Sequence, residues 1–213
     1  MRILLIAPTQ SGEYTPKLET FPEIKAIVSN HNTNLLIDVT KQDIYDAVRG
    51  SSYDIIHFAC HSDDSKLLLN GTEYISKEEC SQIARTANAR LIFFNGCDSA
   101  GLASYAVRHG VELAIFTTTS LVDRIAWQMP NIFYSLLGRS DESIINAYVK
   151  ADSGDGLYGL LIAPEAIADQ RIIRRDVDSL LLVSAKLGKR INYVYYIDVI
   201  LIIIYIVGVY YGN

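Results

Sequence analysis

Two short segments carry the residue types that nucleophilic chemistry needs. In DIIHFACHSDD (residues 54–64) His61 follows an apolar run, and in LIFFNGCDSAG (residues 91–101) Cys97 follows another. A cysteine at a strand-to-helix turn has its thiolate favoured by the positive end of the helix dipole and by a nearby imidazolium. That thiolate attacks a carbonyl carbon, and the imidazolium then protonates the leaving amine. Backbone N–H groups at the two turns, those of Ser62 and Cys97, could hold the developing oxyanion. Gly96 permits a tight turn before the cysteine, and Ser99-Ala100-Gly101 allows close backbone approach behind it. Each residue alone has a plainer role, since a cysteine after a buried strand packs as a small apolar group and a loop histidine is solvated. Their shared position after successive apolar runs is what points to a dyad.

The other candidates read as structural. His57 lies inside its apolar run and is expected as a hydrogen-bonded core histidine, with Cys60 as packing. Cys80 stands on KEECSQIA (residues 77–84), an exposed-looking helix, and His109-Gly110 reads as a helix C-cap. His31 sits in a polar, Asn-rich loop. Three cysteines without a CxxC pattern suggest neither a metal site nor a disulfide framework. No GxGxxG or GxxxxGK[ST] loop is present to hold phosphates, so neither metal nor cofactor is expected.

The elements that must position this pair follow from alternating apolar and amphipathic stretches. Strands are predicted at Ile3–Ala7, Asn34–Val39, Asp54–Cys60, Arg90–Asn95, Glu112–Thr117 and Leu157–Ile162. Most are apolar on both faces, as in a parallel sheet covered on each side. Helices are predicted at Thr20–Ser29, Lys41–Arg49, Lys77–Ala87, Ser99–Arg108, Val122–Leu137, Asp141–Lys150 and Pro164–Lys186, with Pro130 kinking or dividing the fifth. The Asn-Gly pair in LLLNGTEYIS marks a hairpin between the third and fourth strands. The pattern predicts a three-layer α/β/α sandwich with a mainly parallel central sheet, whose sites form beyond the carboxyl ends of the strands.

The chain closes on INYVYYIDVILIIIYIVGVYY, residues 191–211, with a single charge at Asp198. A helix of that length spans roughly 31 Å, close to the hydrocarbon thickness of a bilayer. Tyrosines flank it at both ends, and Lys186, Lys189 and Arg190 precede it. The expectation is one domain over residues 1–187, followed by a transmembrane helix over residues 188–213. That makes a single-pass membrane protein with its N-terminal domain in the cytoplasm. Asp198 either lies within the membrane, protonated or facing other helices, or the tail rests in the membrane surface. Of the 213 residues, 24 are acidic and 19 basic, a net charge of −5 that offers no broad footprint for nucleic acid.

HFACHS, then a hairpin, then LIFFNGCDSAGLA resembles the CHAT family of caspase-like cysteine peptidases. Members carry an HFAGHG-like strand end and a C-x-S-A/G turn. VRHGVELAIFTTTSLVD, WQMPNIFYSLL and ESIINAYVKA resemble the family's next strand and two helices, so the likeness runs over residues 3–162. It implies a caspase-like fold with His61 as general acid/base and Cys97 as nucleophile. Ser62 stands where the family commonly has glycine, so a side chain is expected to crowd the site. No TPR array precedes the domain, so control is expected from an activating partner protein, from self-association or from the membrane helix.

Asp63, Asp64 and Asp98 lie beside the dyad. Either they favour a basic Lys or Arg in the substrate, or they cap turns and the following helix. The resulting expectation is a membrane-anchored cysteine endopeptidase acting on a protein substrate, in a setting the resemblance connects with bacterial defence or regulated cell death. The alternative is a non-cleaving interaction module whose clustering drives the tail helices to disrupt the membrane.

Overall fold

A computed structural model describes residues 1–8, 18–69, 73–120, 123–139 and 142–168. The expected membrane segment, with Asp198 and the basic residues before it, lies outside these residues. No helix among the described residues is long and apolar enough to cross a membrane.

The chain runs β1 (Arg2–Ile6), α1 (Phe21–Asn30), β2 (Asn32–Leu36), α2 (Lys41–Val48) and β3 (Ile55–Phe58). A small excursion follows, made of β4 (Ser62–Asp63), β5 (Lys66–Leu68) and β6 (Tyr74–Ser76). Then come α3 (Lys77–Thr86), β7 (Leu91–Phe94), α4 (Ala100–Arg108), β8 (Leu113–Thr117), α5 (Asp123–Ala126), α6 (Gln128–Leu137), α7 (Ile144–Ala151), β9 (Tyr158–Ile162) and α8 (Pro164–Ala168). The main sheet has the order β2-β1-β3-β7-β8-β9, and β4, β5 and β6 form a separate antiparallel sheet.

The alternation of side chains along the strands builds two cores. Ile3, Leu5, Ile55, Phe93 and Ile115 face one side, where Ile27 of α1, Phe133 and Tyr134 of α6 and Tyr148 of α7 cover them. Leu4, Ile6, Ile56, Phe58, Ile92 and Phe94 face the other, against Ile44 of α2, Ile83 of α3 and Leu102 of α4. Strands buried on both faces read as unbroken apolar runs, which is why β1, β3, β7 and β8 are legible from sequence. The starts of α2, α3 and α7 are set by side-chain caps. Thr40 with Asp43, and Ser76 with Glu79, form reciprocal capping boxes, and the Ser143 hydroxyl accepts from Asn146 N.

The central sheet is mainly parallel, as expected, and its edge strand β9, reached after three intervening helices, pairs antiparallel with β8. Two expectations change. The helix expected over Val122–Leu137 is broken at Trp127, while Pro130 lies in the first turn of α6, where a helix needs no donor from its own chain. Cys80 is fully buried on the inner face of α3 beside Ile83 and Ala84 rather than exposed. Burial pushes its thiol well up from the usual range, and burial followed by the Glu23 charge does the same to Cys60.

His57 is fully buried, as expected of a core histidine, and its Nδ1 lies 2.8 Å from the Tyr134 hydroxyl. His109 caps α4 with Nδ1 2.8 Å from Tyr105 O, its ring stacked on Tyr105. His31 caps α1 and reaches Tyr134 O with Nε2, and burial lowers its pKa.

Candidate active site

β3 and β7 are adjacent and parallel, with Phe58 opposite Phe94, and Asn95 N donates to Phe58 O at 2.8 Å. Three residues beyond that pair on each chain stand His61 and Cys97. Equal steps from a common register bring both to the carboxyl rim of the sheet, where ligand crevices of α/β folds form.

The two turns also interlock. Gly96 sits so close to the Cys60 carbonyl and the Ser62 side chain that a Cβ there would overlap both. The Ser62 hydroxyl donates to Cys97 O at 2.5 Å. Gly101 N donates to the Asp64 carboxylate at 2.5 Å, and Gly101 is packed against Asp64 with no room for a Cβ. Thus the residues on both sides of His61 grip the turn that carries Cys97. Ser99 begins α4 without offering its hydroxyl as a cap, so Asp64, from another segment, supplies the acceptor and a negative charge at the helix start.

Behind the turn, Ser99 and Thr117 form a buried clasp. Ser99 N donates to Thr117 O at 3.1 Å, Thr117 N to the Ser99 hydroxyl at 2.9 Å, and the Thr117 hydroxyl to Gly96 O. Asp98 has φ +47°, a left-handed conformation that aspartate tolerates better than most residues. It is exposed, and Ser120 Oγ donates to its carboxylate at 3.1 Å.

Both His61 and Cys97 are half-buried, whereas Cys60 and Cys80 are closed off from solvent. Of the chain's three thiols, Cys97 is therefore the one a reagent can approach. Ser62, expected to crowd the crevice, turns its hydroxyl onto the Cys97 carbonyl and acts as a tie. In the β4–β5 ladder Leu68 N donates to His61 O, so the neighbouring Ser62–Leu67 pair exchanges no backbone bonds and Ser62 N–H stays outside that ladder.

The Asp63 carboxylate accepts from Ser65 N, Ser65 Oγ and Lys66 N within 3.0 Å. Partial burial opposes its ionisation, but these bonds hold it below the usual carboxylate range. Asp63 and Asp64 are thus committed to their own chain. Among the described residues no group of three His, Cys, Asp or Glu is placed to hold a metal ion.

The fold also holds a set of buried polar side chains that sequence reasoning passed over. Glu23 of α1 and Asn95, which follows β7, are 3 % and 6 % exposed and meet at 2.6 Å. Glu23 falls on the same buried stripe of α1 as Ala26 and Ile27. An acid on an apolar stripe was the available signal.

A mainly parallel sheet covered on both faces, with a histidine and a cysteine at the ends of adjacent strands, has the architecture of the caspase-like cysteine peptidases. The chain belongs to the CHAT domain family, whose model matches residues 10–147. Among solved structures, the fold is similar to the Arg specific cysteine proteinase gingipain R (RgpB), with a TM-score of 0.52 and 13% identity, covering 76% of this chain and 46% of that one. The complex of the Porphyromonas gingivalis RgpB pro- and mature domains gives a TM-score of 0.50 at 12% identity, covering 70% and 41%. The chain therefore spans less than half of either proteinase chain, and the likeness is one of fold. No curated protein matches the chain.

Proposed function

We propose that this protein is a membrane-anchored cysteine endopeptidase in which Cys97 is the nucleophile and His61 the general acid and base. Cys97 Sγ attacks the carbonyl carbon of a peptide bond, and the oxyanion is held by the N–H groups of Cys97 and Ser62. His61 gives its proton to the leaving amine, then takes one from the water that hydrolyses the thioester. The observation that carries this reading is the common register of β3 and β7, with Gly96 pressed against the Cys60 carbonyl. The exposure of Cys97, against the burial of the other two thiols, supports it.

Asp98 is the acid we assign to the substrate. Asp63 and Asp64 are spent on backbone N–H groups, while Asp98 is exposed on the turn that bears the nucleophile. A carboxylate there favours Lys or Arg beside the cut bond. A peptide library resolved by mass spectrometry tests both assignments. New termini following Lys or Arg are expected with the native protein, none with Cys97→Ala, and a preference for basic residues weakened by about tenfold with Asp98→Asn. Termini that persist with Cys97→Ala would refute the nucleophile.

The anchor is residues 191–211, proposed on the length and apolarity of the segment. Deleting residues 191–213 is expected to move the protein from the membrane pellet to the soluble fraction. Retention in the pellet would overturn that part of the proposal. The setting we propose is defence or regulated cell death, with the peptidase silent until a partner protein or its own self-association triggers it.

A further inference from the structure

Asn95 lies two residues before Cys97, and its side chain is the hub of a buried network joining four elements. Its Nδ2 donates to Glu23 Oε1 at 2.6 Å and to Ala126 O at 3.1 Å. The Tyr158 hydroxyl lies 2.7 Å from Asn95 Oδ1 and 2.9 Å from Ala126 O. Two acceptors facing the nitrogen and a hydroxyl facing the oxygen fix the orientation of the amide. Glu23 also lies 2.7 Å from His57 Nε2, off the axis of a hydrogen bond, and Tyr134 closes the far side of the same ring. Burial, followed by the Glu23 charge, pushes both tyrosine hydroxyls up, so they remain neutral donors.

Ala126 O explains why the hub is needed. In an unbroken helix this carbonyl would accept from residue 130, which is Pro130 and has no N–H. The helix ends at Ala126 instead, and Asn95 and Tyr158 take over the orphaned acceptor. A side chain on the Cys97 strand therefore ties α5, which follows the Thr118–Ser120 loop, to the first turn of α1, which follows the β1 end. In the sheet, β1 and β8 flank the β3–β7 pair that leads to His61 and Cys97.

Resting on Cys97 as the reacting thiol, we infer that Asn95 is a positioning residue. Its crossbeam to Glu23 and Ala126 fixes the Cys97 turn between α1 and α5 and so sets the reactivity of the sulfur. A burial role alone would affect stability and leave the thiol of the folded protein unchanged.

The test is the rate at which iodoacetamide alkylates Cys97 in the folded, full-length protein, read by mass spectrometry far below the melting temperature. Asn95→Asp sets two carboxylates face to face and is expected to slow alkylation by about tenfold or more. Combining it with Glu23→Gln turns the pair around, an amide on α1 now donating to the carboxylate at residue 95, and is expected to recover part of the loss, the amide donor to Ala126 O still being absent. Tyr148→Phe removes a buried hydrogen bond to the Tyr158 backbone while leaving every side-chain bond of the hub in place, and should lower the melting temperature without changing the rate. Should Asn95→Asp fail to fold, Tyr158→Phe decides, with a slowing of about threefold or more expected from a lost bond to the hub. A folded Asn95→Asp that alkylates at the native rate, a Tyr158→Phe that does so when it must decide, or a Tyr148→Phe as slow as Asn95→Asp, overturns the inference. His61→Ala, measured alongside, reports separately on the dyad.

Discussion

Replacing Cys97 by alanine is expected to take peptide hydrolysis down to background, and His61→Ala to lower kcat/KM by about a thousandfold. The two differ because they remove different things. Without Cys97 there is no atom to form the thioester, and no neighbouring thiol can substitute, since Cys60 and Cys80 are closed off from solvent. Without His61 the sulfur remains, but the leaving amine must take its proton from water. General acid–base catalysis by a placed side chain contributes about 10²- to 10⁴-fold, which sets the size of the expected loss. Residues acting as a unit are strongly non-additive, so the double variant should be no worse than Cys97→Ala. Steady-state turnover of a peptide drawn from the library measures all three. A His61→Ala enzyme within about threefold of native would remove His61 from the proton path.

The second large effect is expected from Gly96→Ala. One methyl group here meets a backbone carbonyl, that of Cys60, as well as the Ser62 side chain. Neither neighbour is free to yield. Cys60 follows Ala59, whose N–H donates to Ile6 O at 2.9 Å, and Ser62 is tied to Cys97 O. The turn itself must move, taking Cys97 from the His61 side. Overpacking of this kind costs about 1–3 kcal/mol, and a displacement of about 1 Å at a reacting group costs up to about a hundredfold in rate. Both numbers are checked together by thermal melting and turnover. Gly138→Ala is the contrast, because its nearest neighbours would lie 3.6 Å from the new carbon in ordinary contact. It should change stability by about 0.5 kcal/mol or less. Equal behaviour of the two variants would mean that the His61 and Cys97 turns are not locked through Gly96.

The sheet and the strand-end positions of His61 and Cys97 were legible for one physical reason. Strands buried on both faces must be continuously apolar, and chemistry in such folds collects where those runs stop. HFACHS and LIFFNGCDSAG show both the run and its end. β4 was not legible, because two residues leave no periodic trace and its pairing depends on β5. The direction of β9 was also invisible, since an apolar run does not encode which way it points. In KEECSQIA the charges drew attention away from a stripe of Cys80, Ile83 and Ala84, which turns inward. Pro130 was read as a break in place, yet its effect falls four residues earlier, on the Ala126 carbonyl that Asn95 and Tyr158 satisfy. The Glu23–Asn95 bond joins residues 72 apart. Its members could be noticed singly as polar residues in apolar company, but their meeting is a product of the fold.

The most direct measurement is the labelling of Cys97 by a thiol-directed peptide probe in native protein and in His61→Ala, both verified as folded. Rapid, site-specific labelling of the native protein, slowed at least about tenfold by the substitution, is the predicted result. Labelling at the same rate in both, or an unreactive Cys97 in the native protein, would contradict a dyad formed by these two residues.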